Sequence, residues 1–424
     1  MTHTADRDVL GHRLPDTVRA DFPILAQHPG AYLDNAATAH KPRAVLDAIT
    51  GYYTTTNSNV GRGYHELGRR STDVFEQARE AVRAALGARH ADEVVFTAGT
   101  TDSVNAVADG LGRRLLGPGD AVLVSGMEHN SNLLPWRRLA EETDARLLVA
   151  PVDEHGRVDV AGFADLLGPR VRLVAVSHVS NVLGTVNPVA ELIAAAHRHG
   201  ALVVVDGAQA VPHRPVDVRA LDADFYCFSA HKVYGPMGVG VLYGKRELLA
   251  ELRPPRVGGG TVKGVSATEP VRYVPVPARL EAGTPNVAGA VGLAAALAYV
   301  DGLGWDAVRD HDQHLVRYAV RRLSERPGVR VIGAPERTPS GIVSFVVDGI
   351  HPYDVGGHLD ERGIAVRCGV HCASTFLDSL GLVGTVRASF AVYTTPSDVD
   401  ALVAALDSVR PGFWTTEHPT TRFL

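Results

Sequence analysis

Residues 201–209 read Ala-Leu-Val-Val-Val-Asp-Gly-Ala-Gln: an unbroken apolar run that ends in a carboxylate and a glycine turn. Consecutive apolar side chains point to both faces of a strand, so the run predicts a strand covered on both sides, as in a parallel sheet. Working outward, short apolar runs recur at 93–97, 121–125, 146–150, 171–177, 224–229 and 238–243. Helical patterns such as 101–116 and 188–199 separate several of them. This alternation predicts an α/β chain with a large, doubly wound, mostly parallel sheet.

Beyond this region the Gly- and Pro-rich segment 257–284 suits an ordered loop or short hairpin. Helices are expected near 287–303 and 305–326, and residues 329–409 mix strands and helices as a smaller α+β domain. The expected division is an N-terminal segment 1–31 belonging to the small domain or forming an arm, a large domain 32–300, a small domain 301–410 and a tail 411–424. The tail carries no interpretable motif.

The 424 residues are 45% hydrophobic and 21% charged with a net charge of −5, and no run of like charge forms a basic face for nucleic acid. No apolar run approaches the roughly 18 residues of a membrane span, and the polar start of the chain does not resemble a secretory signal. Cys227, Cys368 and Cys372 are too few and too odd in number for a disulfide scaffold and fit a reducing cytoplasm.

Asp206 ends its run, and in open parallel sheets ligands bind beyond the carboxyl ends of strands. Alone it could equally be a turn or capping residue. A second run, 224–229, ends in Ser229-Ala230-His231-Lys232. A carboxylate and a lysine at neighbouring strand ends meet the needs of pyridoxal 5'-phosphate (PLP): the amine forms a Schiff base and the carboxylate keeps the pyridine nitrogen protonated. Gly99-Thr100-Thr101 follows another strand and opens a helix whose N–H groups and hydroxyls suit a phosphate, although a plain N-cap is the simpler account of that triplet alone. Ser229 and His231 could add donors. His129, after the run 121–125, could stack on a flat cofactor or serve only structure.

The last cluster is Arg367-Cys368-Gly369-Val370-His371-Cys372-Ala373. Two cysteines and one histidine lack the partners of a zinc site. Cys227 and Cys368 read as inert buried thiols, with Cys368 keeping the option of attacking sulfur carried on Cys372. Cys372, in a glycine-containing loop read as mobile and electropositive, with Arg367 and Arg387 nearby, is the candidate nucleophile.

In order and spacing the motifs resemble those of the SUF-type (group II) cysteine desulfurases and selenocysteine lyases, fold-type I PLP enzymes of aminotransferase class V. The similarity runs through Tyr32-Leu33-Asp34-Asn35-Ala36-Ala37, Gly99-Thr100-Thr101, Met127-Glu128-His129, residues 178–185, Asp206-Gly207-Ala208-Gln209, His231-Lys232, residues 281–286 (Glu-Ala-Gly-Thr-Pro-Asn), His371-Cys372-Ala373 and Arg387-Ala388-Ser389.

The resemblance implies that Lys232 carries PLP and moves protons, Asp206 pairs with the ring nitrogen, Gln209 with the phenolic oxygen, and His129 stacks on the ring. Thr100, Thr101, Ser229 and His231 would hold the phosphate, with Thr284 arriving from the other subunit of a homodimer. Arg387 would fork onto the substrate carboxylate, and His65, Asn181 and Arg367 would line the substrate site. Cys372 would take sulfur from L-cysteine as a persulfide, leaving alanine, and pass it to an acceptor protein or small molecule. The chain departs from the pattern at Cys368, Val370, Ser374 and Thr375 around the nucleophile. It departs also at Ala98 and Asp102, read as a probable interface pair. Selenocysteine lyase, C–S lyase, transaminase and epimerase chemistry stay open as alternatives. A PLP-binding regulator is disfavoured, because the residues before Tyr32 are too few for a helix-turn-helix domain.

Overall fold

The computed structural model describes Leu14 and residues 16–61, 63–153, 155–266, 268–337 and 340–412. Residues 1–13 and 15 of the expected N-terminal segment and all but two residues of the expected tail lie outside the described residues.

Two short helical turns, Asp16–Asp21 and Pro23–Gln27, lead into a short strand, β1 (Ala31–Tyr32). A seven-stranded sheet follows, built from β2 (Val94–Thr97), β3 (Ala121–Ser125), β4 (Arg146–Ala150), β5 (Val171–Ser177), β6 (Leu202–Asp206), β7 (Phe225–Ser229) and β8 (Gly240–Gly244), in the order β2-β8-β7-β6-β5-β3-β4. Val203, Val204 and Val205 have no exposed surface, because helices cover both faces. All pairings are parallel except those of β8, which runs antiparallel to β7 and β2. Only residues 230–239 join β7 to β8, too short a link for the crossover helix that a parallel return requires.

The expected helix 101–116 is interrupted. Thr100–Val107 is α-helical, Ala108–Gly112 widens into a π turn and Arg113–Leu115 closes it. A Cβ on Gly110 would come within 2.8 Å of the Arg253 carbonyl, so the turn packs closely on its neighbour. The segment 257–284 holds a small hairpin, β9 (Val262–Gly264) with β10 (Arg272–Tyr273). The helix Val287–Leu303 then packs on the helices Arg43–Thr55 and Glu66–Ala85.

The C-terminal unit is an antiparallel sheet of β11 (Val329–Val331), β12 (Ile342–Val347), β14 (Arg367–Gly369) and β15 (Thr385–Ser389), in the order β11-β12-β15-β14. β13 (Ile364–Ala365) pairs in parallel with β1 instead, and Asp34 bridges to Ser389. Ala31 and Leu33 share a core with Leu315, Val343, Phe345 and Leu402. Residues 31–34 are thus fastened to the C-terminal unit, and Asp34 is delivered to the seam between the units. Among the described residues no single helix is long and apolar enough to cross a membrane.

Candidate active site

Strands β5 and β6 finish in register, with Ser177 opposite Asp206, and β7 runs two residues further, with Cys227 opposite Asp206. Their carboxyl ends floor a cavity of about 270 Å3, closed on the far side by β14, β15 and the loop that carries Cys372. Lys232 enters this cavity from the turn Ala230–Lys232 directly after β7.

One wall is a cup of donors. The Thr100 N–H donates to the Ser229 Oγ at 2.8 Å, and the two hydroxyls lie 2.8 Å apart. A Cβ on Gly240 would fall 2.4 Å from the Gly99 Cα, so glycine is required where β8 passes behind the cup. The Thr101 hydroxyl reaches Ser131 at 2.7 Å. His231 Nδ1 is buried with no partner. Burial, reinforced by the charges of Lys232 and Lys41, lowers the His231 pKa to about 4. Hydroxyls, helix-end amides and an unsatisfied ring nitrogen together suit a phosphate.

Asp206 is 6% exposed, and one of its oxygens accepts the Ala208 N–H at 2.9 Å. Burial raises its pKa, and the charge of Lys232 opposes that rise. Burial lowers Lys232 to about pKa 8, with Asp206 opposing. The Gln209 amide donates to the Ala36 carbonyl at 2.8 Å. His129 accepts the Ser131 N–H on Nδ1 at 3.0 Å. Burial first, then Lys232 and Arg387, bring its pKa to about 4, so at neutral pH the ring is uncharged with its proton on Nε2. A flat neutral ring, a buried carboxylate, a lowered-pKa amine and a phosphate cup fit the donor pattern of PLP.

The opposite wall carries a free thiol. Cys372 is exposed to the cavity in a turn where both His371 (φ 51°) and Cys372 (φ 53°) adopt the left-handed conformation. Two consecutive non-glycine residues in this region store backbone strain of order 1–3 kcal/mol each. The loop expected to be mobile is pinned. The Asn130 N–H donates to the Cys372 carbonyl at 2.7 Å, the Asn181 amide donates to the His371 carbonyl at 2.8 Å, and His371 Nε2 meets the Thr385 hydroxyl at 2.8 Å. Arg387 is 4% exposed and donates to the Asn181 carbonyl at 2.7 Å, leaving its Nε without a partner. Burial lowers its pKa to about 10, although Asp34 pulls the other way.

Of the residues singled out in the sequence, Thr100, Thr101, His129, Asn181, Asp206, Gln209, Ser229, His231, Lys232, Arg367, Cys372 and Arg387 all line this one cavity. His65 and Thr284 do not. His65 is exposed at the start of the helix Glu66–Ala85, where its Nδ1 caps the Gly68 N–H, and Thr284 is exposed in the turn before Val287. Asp102, read as half of an interface pair, is engaged within the chain by the Ala98 N–H and by Arg256. Sequence reasoning missed Asp34, which ion-pairs Arg367 and Arg387, and Ser131 and Ser177 in the lining. The motif Leu33-Asp34-Asn35 contained the signal, but partners more than 300 positions away gave it no role.

Comparison with known proteins agrees with this geometry. Residues 31–402 match the family described as aminotransferase class-V. The chain is 48% identical over 398 residues to a cysteine desulfurase of Dickeya dadantii, covering 93% of this chain and 96% of that protein. Three relatives at 45–46% identity are longer, and the chain spans 58–65% of their length. The crystal structure of the Escherichia coli cysteine desulfurase CsdA in an S-sulfonic acid form superposes with a TM-score of 0.87 at 43% identity, covering 93% of this chain and 97% of that one. A variant of C-DES with glycine covalently linked to its PLP cofactor superposes at 0.80 with 27% identity, covering 92% of this chain and 99% of that one.

Proposed function

The chain belongs to the aminotransferase class-V family, and from that premise we propose that it is a PLP-dependent cysteine desulfurase converting L-cysteine to L-alanine. The observation that carries the reading is the meeting of Lys232, Cys372 and Arg387 on the walls of one cavity. PLP, when bound, supplies an electron sink for the substrate's Cα.

The chain's own residues do the rest. With the cofactor bound, Thr100, Thr101, Ser229 and His231 would hold its phosphate, Asp206 would keep its pyridine nitrogen protonated, Gln209 would serve its phenolic oxygen and neutral His129 would cover its ring. Arg387, whose Nε has no partner, receives the substrate carboxylate through its guanidinium. Lys232, with a pKa near 8, takes the proton from Cα and returns it close to neutral pH. Cys372 Sγ attacks the substrate's sulfur. The new S–S bond forms as Cβ–S breaks, the bonding pair stays with Cβ and takes up a proton, and alanine departs while Cys372 keeps a persulfide.

The finer assignments extend the same reading. Sulfur passes from Cys372 to an acceptor protein or small molecule, as in enzymes of the SUF type. The chain works in the cytoplasm as a homodimer, in which the exposed Thr284 completes the partner's phosphate cup. Exposed Tyr64, Leu67 and Val265 are consistent with a covered face. His65, also exposed, joins the substrate site only in such an assembly.

Incubation of the PLP-loaded protein with L-cysteine and a reductant tests the activity. Alanine and sulfide in equal amounts are expected. Pyruvate and ammonia in place of alanine would move the chain to C–S lyase chemistry, and no turnover would overturn the reading.

A further inference from the structure

The peptide that joins His231 to Lys232 is held from outside its own turn. Within the turn, the Ala230 carbonyl accepts the Val233 and Gly235 N–H groups at 3.0 and 2.9 Å. Tyr234, two residues beyond Lys232, has a left-handed backbone at φ 62°, which a bulky residue keeps only where its surroundings impose it. The His231 carbonyl faces the segment 34–41, and three donors converge on it there: the Ala39 N–H at 3.1 Å, the Thr38 hydroxyl at 3.2 Å and the Lys41 ammonium at 3.2 Å. A carbonyl oxygen has two lone pairs, so this one is fully engaged. Lys41 also donates to the Ala39 carbonyl and to the Thr38 hydroxyl, the latter at 3.3 Å. These acceptors are uncharged, and burial lowers the Lys41 pKa to about 8. Taking a cation partly out of water onto neutral oxygens is costly, so its place here calls for a reason. The same segment is fixed from behind: the Tyr32 hydroxyl donates to the Thr38 carbonyl at 2.9 Å, and the His40 N–H donates to the Tyr393 hydroxyl at 3.0 Å.

We infer that Lys41, with Thr38, is a positioning residue: it holds the peptide between His231 and Lys232 and thereby aims the Lys232 amine at the substrate's Cα. One peptide carries both the ring read as a phosphate donor and the amine read as the base, so its rotation would displace both. His231 and Lys232 line the cavity, while Lys41 and Thr38 stand behind their shared peptide and act through it. The inference rests on the reading of Lys232 as the base at Cα and adds to it what holds that base in place.

The test follows exchange of the Cα proton of L-alanine for solvent deuterium on the PLP-loaded protein, read by NMR. Lys232 would take the proton, lose it to solvent and return a deuteron, so exchange reports the aim of the amine without involving Cys372. Affinity for L-alanine is read separately from the change in cofactor absorption. Because a misplacement of about 1 Å costs roughly a hundredfold, a partial release in Lys41→Met is expected to slow exchange at saturating alanine by about tenfold or more. Alanine affinity should stay within about threefold of wild type and the cofactor should be retained. Lys41→Arg keeps a cationic donor and is expected to recover most of the rate. Thr38→Val removes one donor and is expected to slow exchange in the same direction by less; it carries the test if Lys41→Met does not fold. A merely structural role would lower cofactor content or alanine affinity and leave exchange per bound cofactor at the wild-type rate, and that outcome overturns the inference. Unchanged exchange in both Lys41→Met and Thr38→Val overturns it too. Failure of the underlying readings is distinguishable: wild type itself would exchange no Cα proton if Lys232 is not the base, and would make no alanine from L-cysteine if the chain is not a desulfurase.

Discussion

The amide of Asn181 donates to the carbonyl of His371 at 2.8 Å, while the backbone carbonyl of Asn181 accepts from Arg387 at 2.7 Å. Asn181, four residues beyond the end of β5, therefore holds both the strained thiol turn and the arginine proposed to receive substrate. Left-handed backbone at His371 and Cys372 persists only where surrounding bonds over-determine it. Asn181→Ala should release the turn and let the thiol drift. A displacement of about 1 Å at a reacting atom costs roughly a hundredfold in rate. Alanine formation should fall by about that factor, with the cofactor absorption retained. Activity within threefold of wild type would show that the turn holds its shape without Asn181.

Lys232 should govern how PLP enters. Only an uncharged amine attacks an aldehyde, and burial brings this amine to a pKa of about 8. Below that value the neutral fraction grows about tenfold per pH unit; above it the amine is fully available. The rate at which cofactor-free protein takes up PLP should therefore rise up to about pH 8 and then level off. A rise continuing toward the ordinary lysine value of 10.5 would contradict the burial effect. Lys232→Ala should lack the yellow absorption, and borohydride should fix no cofactor to it.

Stability should depend on a buried pair far from the thiol. Arg79 is 2% exposed and gives two bonds to Glu281, at 2.6 and 2.9 Å, and Glu281 also accepts the Phe96 N–H at 2.7 Å. It thereby satisfies the edge strand β2 and fixes the turn leading to Thr284. Glu281→Ala strands a buried guanidinium, which costs about 3–5 kcal/mol. Denaturant unfolding should register that loss, and Arg79→Met with Glu281→Ala should recover part of it. A loss under 1 kcal/mol in the single variant would mean that Glu76, the other carboxylate on Arg79, suffices.

Much of this arrangement was legible because it is local. The run ending at Asp206 and those before Ser125 and Ser177 show where a doubly covered sheet ends, and Lys232 follows its strand directly. The antiparallel course of β8 was not legible, since an apolar run carries no direction; the brevity of 230–239 was the available clue. Asp34 was quoted within a motif yet had no role, because Arg367 and Arg387 reach it only through pairing between the two ends of the chain. The pinning of the thiol loop was hidden for the same reason: Asn130 and Asn181 belong to other strand ends.

The two cysteines of the β14 loop should behave as opposites. Arg367 faces the cavity from β14, and successive residues of a strand point to opposite faces, so Cys368 is directed away from it. Its sulfur lies against the helix Pro352–Asp360, where a Cβ on Gly356 would come within 2.5 Å of it. Burial, with a contribution from Asp34, pushes its pKa up to about 12. A thiol that is protonated at neutral pH and turned from the cavity is poorly placed to attack sulfur held on Cys372, which favours the inert role for Cys368 over the release of sulfur. Cys372 has the opposite setting, exposed in the cavity that Lys232 enters. Cys372→Ser should still change the cofactor absorption when L-cysteine is added but form little alanine. Cys368→Ala should keep alanine formation within about twofold. Mass spectrometry after brief exposure to L-cysteine should find one added sulfur on the peptide holding Cys372, in both wild type and Cys368→Ala. Cys368 lies close in sequence, so fragmentation must resolve the two positions. Sulfur on Cys368, a Cys368–Cys372 disulfide after turnover, or undiminished alanine from Cys372→Ser would each reverse this assignment.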